Sequence, residues 1–229
     1  MSSKARHLAS ETSVRFARFL VSAFRFTQTS LEMTANLPSV CKFNYHVLTI
    51  NVILSHMEVI LIAAITADGF IAQSQDQVST IWTSKADRAW FAQKTREIGV
   101  VVMGKNTYKT IGRPLPGRHN IVYTSNPDIK NRDPQMENLE FTNLDPTNLI
   151  KDLELRGYTQ VAICGGASIY TLFMQAKLIT KMFLTIEPVF FGQGIKLFNQ
   201  SLDDINLELI ESKTLGEEGT ILLEYNLSK

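Results

Sequence analysis

From residue 58 onward, short apolar runs alternate with longer stretches in which apolar positions are spaced for a helix. Residues 59–65 (VILIAAI) read as a strand covered on both faces, because such strands show an unbroken apolar run. A loop at 66–83, rich in Gln, Ser and Asp, follows; loops of this length in a compact chain often serve as lids. Ser84 is placed to cap a helix running to about Ile98, with Ala89, Trp90, Phe91 and Ile98 as its apolar positions. Next, Val100, Val101, Val102 and Met103 form a strand that stops at Gly104, and a short helix begins at Lys105. A turn at 112–118 (GRPLPGR) and a strand at 120–123 complete that segment. Strands at 161–164 and 181–187 flank a helix at 167–176, and a hairpin of 205–214 and 220–227 turns around Gly216 and Gly219. The pattern predicts an α/β sheet, mostly parallel, with an antiparallel C-terminal hairpin and helices on both faces. Ligands on such sheets bind at the carboxyl ends of the strands.

Two of those strand ends carry glycine: Gly104 before the short helix, and Gly165-Gly166-Ala167 before the helix at 167–176. Missing side chains let a ligand approach the backbone, and helix N–H groups attract phosphate. Lys105 and Thr107 can add a cation and a hydroxyl. One such junction reads as an ordinary tight turn; two in one sheet predict a bracket for the pyrophosphate of a dinucleotide. The turn at 112–118 is stiffened by Pro114 and Pro116 and holds Arg113 and Arg118 at a fixed separation, which a solvated surface turn does not need.

The first 56 residues differ in composition. They hold six Lys/Arg against Glu11 and Glu32, which leaves 17 basic and 20 acidic residues for the rest of a chain whose net charge is +1. Between Val14 and Phe26, Arg15, Arg18, Ser22 and Arg25 share one helical face and Phe16, Phe19, Leu20, Ala23 and Phe24 the other. That is the pattern of an organelle targeting segment; a start assigned upstream of a true beginning at Met57 accounts for it equally simply and is the reading favoured. Residues 1–56 are thus expected to be a poorly structured basic extension, and 57–229 one domain. The apolar stretch at 47–54 is too short to span a membrane. A mildly acidic body argues against nucleic acid as a partner. Cys41 and Cys164, far apart, suggest neither a disulfide framework nor a metal centre, consistent with a reducing, cytoplasmic setting.

Asp87 falls in the first turn of the helix that Ser84 caps. Such an Asp often only complements the helix dipole. Trp82 and Phe91 beside it, however, would desolvate its carboxyl and raise its pKa, which suits an acid that binds an amidine-like ring and assists protonation. Residue types alone leave the two readings level.

The segments ADRAWF (86–91), VMGKNTYKTIGRPLPGRHNIV (102–122), CGGASIY (164–170) and LIAAITADGFIA (61–72) resemble dihydrofolate reductase, and the resemblance covers essentially all of 57–229. It implies that family's three-layer fold and hydride transfer from NADPH to dihydrofolate, with no metal. On it, Asp87 matches the active-site carboxylate that holds the pterin and promotes its protonation, and Thr185 the threonine that hydrogen-bonds it. Phe91 and Ile111 match the pterin walls, and Arg118 the arginine that pairs with the glutamate tail. Ala64, between substrate and cofactor, and Ile71 match cofactor contacts. Gly104, Lys105 and Thr107 match contacts on the phosphate side, with Lys105 in place of a frequent arginine. Ser125, Gly165, Gly166, Ala167 and Tyr170 complete the cofactor track.

Two segments depart from that pattern. Ser79-Thr80-Ile81-Trp82 replaces the usual lead into the helix, and FGQGIKLF (191–198), like Trp82-Thr83-Ser84-Lys85, is similar to the reductase domain of riboflavin biosynthesis. That sister family reduces a ribosyl aminopyrimidine phosphate with NADPH. The expected partner is therefore a pterin or an aminopyrimidine, with no membrane or nucleic acid and a homodimer possible. A nucleotide-binding module without turnover is the alternative outside enzymes.

Overall fold

The computed structural model describes residues 57–127 and 138–227. The amphipathic stretch at 14–26, Cys41 and the apolar stretch at 47–54 lie outside the described residues. Eight strands form the main sheet: β1 (Glu58–Thr66), β3 (Val100–Gly104), β4 (His119–Tyr123), β5 (Leu139–Thr142), β6 (Gln160–Ile163), β7 (Lys181–Glu187), β9 (Leu207–Leu215) and β10 (Thr220–Leu227). A second, two-stranded sheet pairs β2 (Phe70–Ala72) with β8 (Ile195–Lys196). Four helices are described: α1 (Lys85–Ile98), α2 (Lys105–Ile111), α3 (Pro146–Leu155) and α4 (Ala167–Gln175).

The sheet order is β5-β4-β3-β6-β1-β7-β10-β9, and every pairing from β5 to β7 is parallel. β10 runs antiparallel to both neighbours, as the hairpin expectation required. Period-two alternation sends successive residues of each apolar run to opposite faces. Val59, Leu61 and Ala63 join Leu149 and Leu153 of α3 and Phe173 of α4 in one core layer. Ile60 and Ile62 join Ile98 of α1, with Phe91, Tyr108 of α2 and Ile111 packed against them. Helices thus cover both faces. Leu61, at 0% exposure, has no room to move; truncating a residue in such a place to Ala costs about 2–5 kcal/mol.

β5, α3, β2 and β8 were not anticipated. The signal for α3 was present: Asp145 caps it by accepting from Thr147 N and Asn148 N, Pro146 opens it, and Leu149, Ile150 and Leu153 face inward at helical spacing. The loop at 66–83 is interrupted by β2 and by a single 3-10 turn at Ser79–Ile81.

The GQG run has a mechanical explanation. Gly194 adopts a positive φ of 156°, and a side chain there would strike the Ala72 carbonyl, so glycine lets β8 close onto β2. Among the described residues no helix is long and apolar enough to cross a membrane, and no group of three or more His, Cys, Asp or Glu could hold a metal ion.

Candidate active site

Because β1, β3, β4, β6 and β7 are parallel, their carboxyl ends share one edge of the sheet, and a cleft of about 1120 Å³ opens there. All the residues named from the sequence as site candidates line it, from Ala64 and Ile71 to Tyr170 and Thr185.

One side is built by the two glycine junctions, which meet directly: Gly104 N donates to the Gly165 carbonyl at 2.7 Å. A Cβ on Gly104 would lie 3.1 Å from Ile169 Cγ1, and one on Gly166 would lie 3.3 Å from Thr107 Oγ1. At Gly165, whose φ is positive (101°), a Cβ would come within 2.9 Å of the Tyr170 ring. The Gly165–Gly166 peptide is cis. The surface so formed is bare backbone at the start of α4, flanked by Lys105, Thr107 and Ser125, a donor set suited to phosphate groups. Tyr170 faces the same junction but donates its hydroxyl to the Ile62 carbonyl at 2.7 Å; burial raises its pKa well above the usual value, so it acts there as a buttress.

The other side holds the acid. Ser84 caps α1 by accepting from Asp87 N at 3.0 Å, which presents the Asp87 side chain toward β7. There Thr185 Oγ1 donates to Asp87 Oδ1 at 2.7 Å. Asp87 is 7% exposed, and burial raises its pKa. The Thr185 hydrogen bond opposes that rise, the charge of Glu187 adds to it, and the Thr83 hydroxyl and Arg88 oppose it, leaving a net increase. Asp87 is thus a buried carboxyl of raised pKa that lines the cleft, besides lying in the first turn of α1. Phe91 and Ile111 line the cleft beside it.

At the far end stands Arg118, 4% exposed. Its Nε donates to the Pro116 carbonyl at 3.1 Å and an Nη to Thr95 Oγ1 at 2.7 Å, so the stiff turn and α1 hold the guanidinium between them. Burial and then the like charge of Arg96 lower its pKa, yet a guanidinium remains a cation at physiological pH. No described acidic side chain forms an ion pair with it. A guanidinium held in this way has the planar donor geometry that suits pairing with a carboxylate or phosphate.

The lid expectation rests on 66–83. Asp68 ties its start to the segment after β7, accepting from Gly192 N at 2.7 Å and Phe191 N at 3.1 Å. Arg88 ties its end to α1 by donating to the carbonyls of Thr80, at 3.1 Å, and Thr83. Between these anchors Ser74, Gln75 and Gln77 line the cleft.

Sequence reasoning passed over Arg96, Tyr123 and Glu187. Arg96 and Tyr123 line the cleft; the position of Tyr123 at the end of β4, two residues before Ser125, was the available signal. Glu187 gave none, since a strand-terminal Glu is ordinarily solvated; here it is 2% exposed.

The family model described as dihydrofolate reductase matches residues 58–209. The dihydrofolate reductase of Bacillus subtilis is 34% identical over 143 residues, covering 61% of this chain and 73% of that protein. YwjB of the same organism, an uncharacterized protein, is 24% identical over 165 residues, covering 69% of this chain and 92% of the other. Among solved structures, a putative riboflavin biosynthesis protein from Shewanella sp. PV-4 aligns with a TM-score of 0.63 at 19% identity, over 76% of this chain and 100% of that one; at such identity the likeness is one of fold.

Proposed function

The chain belongs to the dihydrofolate reductase family, and from that membership we propose that it uses NADPH to reduce 7,8-dihydrofolate to tetrahydrofolate. One observation carries the reading: the Asp87–Thr185 pair and the buried Arg118, with which no described acidic side chain forms an ion pair, occupy the same cleft. Dihydrofolate has an amidine-like edge at one end and a glutamate carboxylate at the other, and these two sites complement its two ends.

Asp87, as carboxylate, accepts from the pterin amino group and ring N–H, while Thr185 holds one of its oxygens in place. Phe91 and Ile111 confine the flat ring between apolar walls. The raised proton affinity of Asp87 suits it to relay a proton toward N5. Arg118 clamps the tail carboxylate in two-pronged fashion, fixing the ring along the cleft. NADPH, when bound, supplies the hydride for C6. The bare backbone at Gly104, Gly165 and Gly166 fits its phosphates, Lys105 and Thr107 add charge and a donor, and the small Ala64 leaves space for the nicotinamide.

A second reading has its own support. Arg96 and Arg113 line the same cleft as Arg118, and three cations suit a phosphate as well as a carboxylate. That favours, as the alternative, reduction of 5-amino-6-(5-phosphoribosylamino)uracil. Following NADPH oxidation with each substrate in parallel separates the two. Oxidation dependent on dihydrofolate supports the first; oxidation with the aminopyrimidine alone overturns it.

A further inference from the structure

Glu187 closes β7 and is the most enclosed carboxylate described, at 2% exposure. Its Oε1 accepts from the backbone N–H of Ser84 at 3.0 Å, and its Oε2 from Thr220 Oγ1 at 2.8 Å. Thr220 Oγ1 also lies 2.8 Å from Ser84 Oγ, which accepts from Asp87 N. A hydroxyl has one proton. With the Thr220 proton on Glu187, the Ser84 proton goes to Thr220, and a closed circuit joins the ends of β7 and β10 to the first turn of α1. Ser84 thus takes part twice: its N–H is held by Glu187, and its hydroxyl holds Asp87. A buried carboxylate beside helix N–H groups is well placed electrostatically, so the circuit keeps Glu187 satisfied where water does not reach.

We propose that Glu187 is a positioning residue for the reduction, acting on Asp87 through Ser84 and through its charge. The inference rests on the proposed reading of Asp87 as the pterin-binding acid. Of two neighbouring carboxyl groups, the charge of one disfavours the charge of the other, and Glu187 acts in this sense on Asp87. Glu187 is held by the Ser84 N–H and the Thr220 hydroxyl away from the cleft lining, while Asp87, with the Thr185 and Thr83 hydroxyls, lines the cleft. The charged and titratable groups around Asp87 are Glu187 from β7, Arg88 on its own helix and Tyr170 from α4. The neighbouring groups of β1 and β10, the Ala63 carbonyl and Thr220, carry no charge. Glu187 is the one anion in that set.

The test is the titration of the Asp87 carboxyl, by carbon-13 NMR of the full-length protein, in the wild type, Glu187→Gln and Glu187→Asp. The pH dependence of kcat/KM for dihydrofolate is followed in parallel. Glu187→Gln keeps an acceptor for Ser84 N–H and removes the charge. It is expected to lower the proton affinity of Asp87 by about tenfold, the scale of one nearby charge, and to move the alkaline limb of kcat/KM to lower pH. Glu187→Asp, which restores the charge, should bring both back toward the wild type. An unmoved Asp87 titration in Glu187→Gln overturns the inference, as does a loss of kcat/KM of equal size at every pH. Should Glu187→Gln fail to fold, Ser84→Ala cuts the bridge and leaves the charge. It is expected to raise KM several-fold with the limb unmoved, and an unchanged KM overturns the inference. Absence of dihydrofolate turnover by the wild type overturns the substrate reading instead, and leaves the NMR titration to decide the role of Glu187.

Discussion

Thr185 Oγ1 and Asp87 Oδ1 lie 2.7 Å apart, although the two residues are 98 positions apart in the chain. Thr185 sits opposite Ala64 in the parallel register of β7 with β1, so the strand pairing that builds the sheet also brings the hydroxyl to the acid. Oδ1 of Asp87 is thereby occupied and oriented in a residue that lines the cleft.

Asp87→Asn keeps the shape of the side chain and removes its charge and its proton. Turnover of dihydrofolate near neutral pH should fall by ~10²–10⁴-fold, the range for loss of a general acid. The deficit should shrink as pH falls and the substrate takes its proton from solvent. A deficit independent of pH in steady-state assays would separate Asp87 from proton delivery.

The same substitution should stabilise the fold. Burial raises the Asp87 pKa above the ordinary value of 3.8, so its ionised form opposes folding. Below that value the acid is protonated in both states and resembles Asn; as pH rises through the folded-state pKa, a penalty appears that Asn escapes. Asp87→Asn should therefore have the higher Tm at pH 7 and the same Tm near pH 3. Calorimetry at the two pH values checks the sign.

Arg118→Leu should act mainly on KM. A contact with the remote carboxylate is made equally in the ground and transition states, so its removal weakens binding and leaves kcat within a few-fold. A charge-assisted pair is worth about 1.5–3 kcal/mol, or roughly 10–150-fold in KM. Dihydropteroate, which lacks the glutamate, should show no such difference between the two proteins.

Lys105→Ala should weaken NADPH binding by about 1–2 kcal/mol and leave NADH nearly unchanged, because only the former has a 2′-phosphate for the cation to meet. Binding titrations with both cofactors give the answer; equal losses for the two place Lys105 away from that phosphate.

Away from the cleft, Glu140 accepts from His119 at 3.1 Å and from Arg156 at 2.6 Å, and these bonds lower its pKa to about 2. A depressed carboxylate contributes stability above its unfolded value, 4.5, and loses it as pH falls toward about 2. Because the Arg156 side chain is partly exposed, the contribution at pH 7 is set at about 1 kcal/mol. Denaturant unfolding of Glu140→Gln should show a deficit of that size at pH 7 that disappears near pH 2.

The sequence alone determined the layers and the chemistry that each strand end offers. An unbroken apolar run such as 59–65 must be covered on both faces, and a chain alternating such runs with helices has few ways of doing so besides a parallel sheet between helical layers. Gly104, Gly165 and the stiff turn at 112–118 were legible because glycine and proline restrict or free the backbone locally. The capped start of α1 was legible because a Ser hydroxyl can accept from the N–H three residues on, here that of Asp87. Only the tertiary structure decided which partners these residues meet. Nothing local distinguishes Glu187 from a solvated glutamate; its burial follows from β10 lying against β7 and α1 beginning above both. Nor does the turn that holds Arg118 reveal that Thr95, 23 residues earlier, receives its guanidinium. Hydrophobic periodicity is a short-range signal. Desolvation and pairing of charge depend on which distant segments exclude water from the same place, and a single chain read in order does not contain that information in any local pattern.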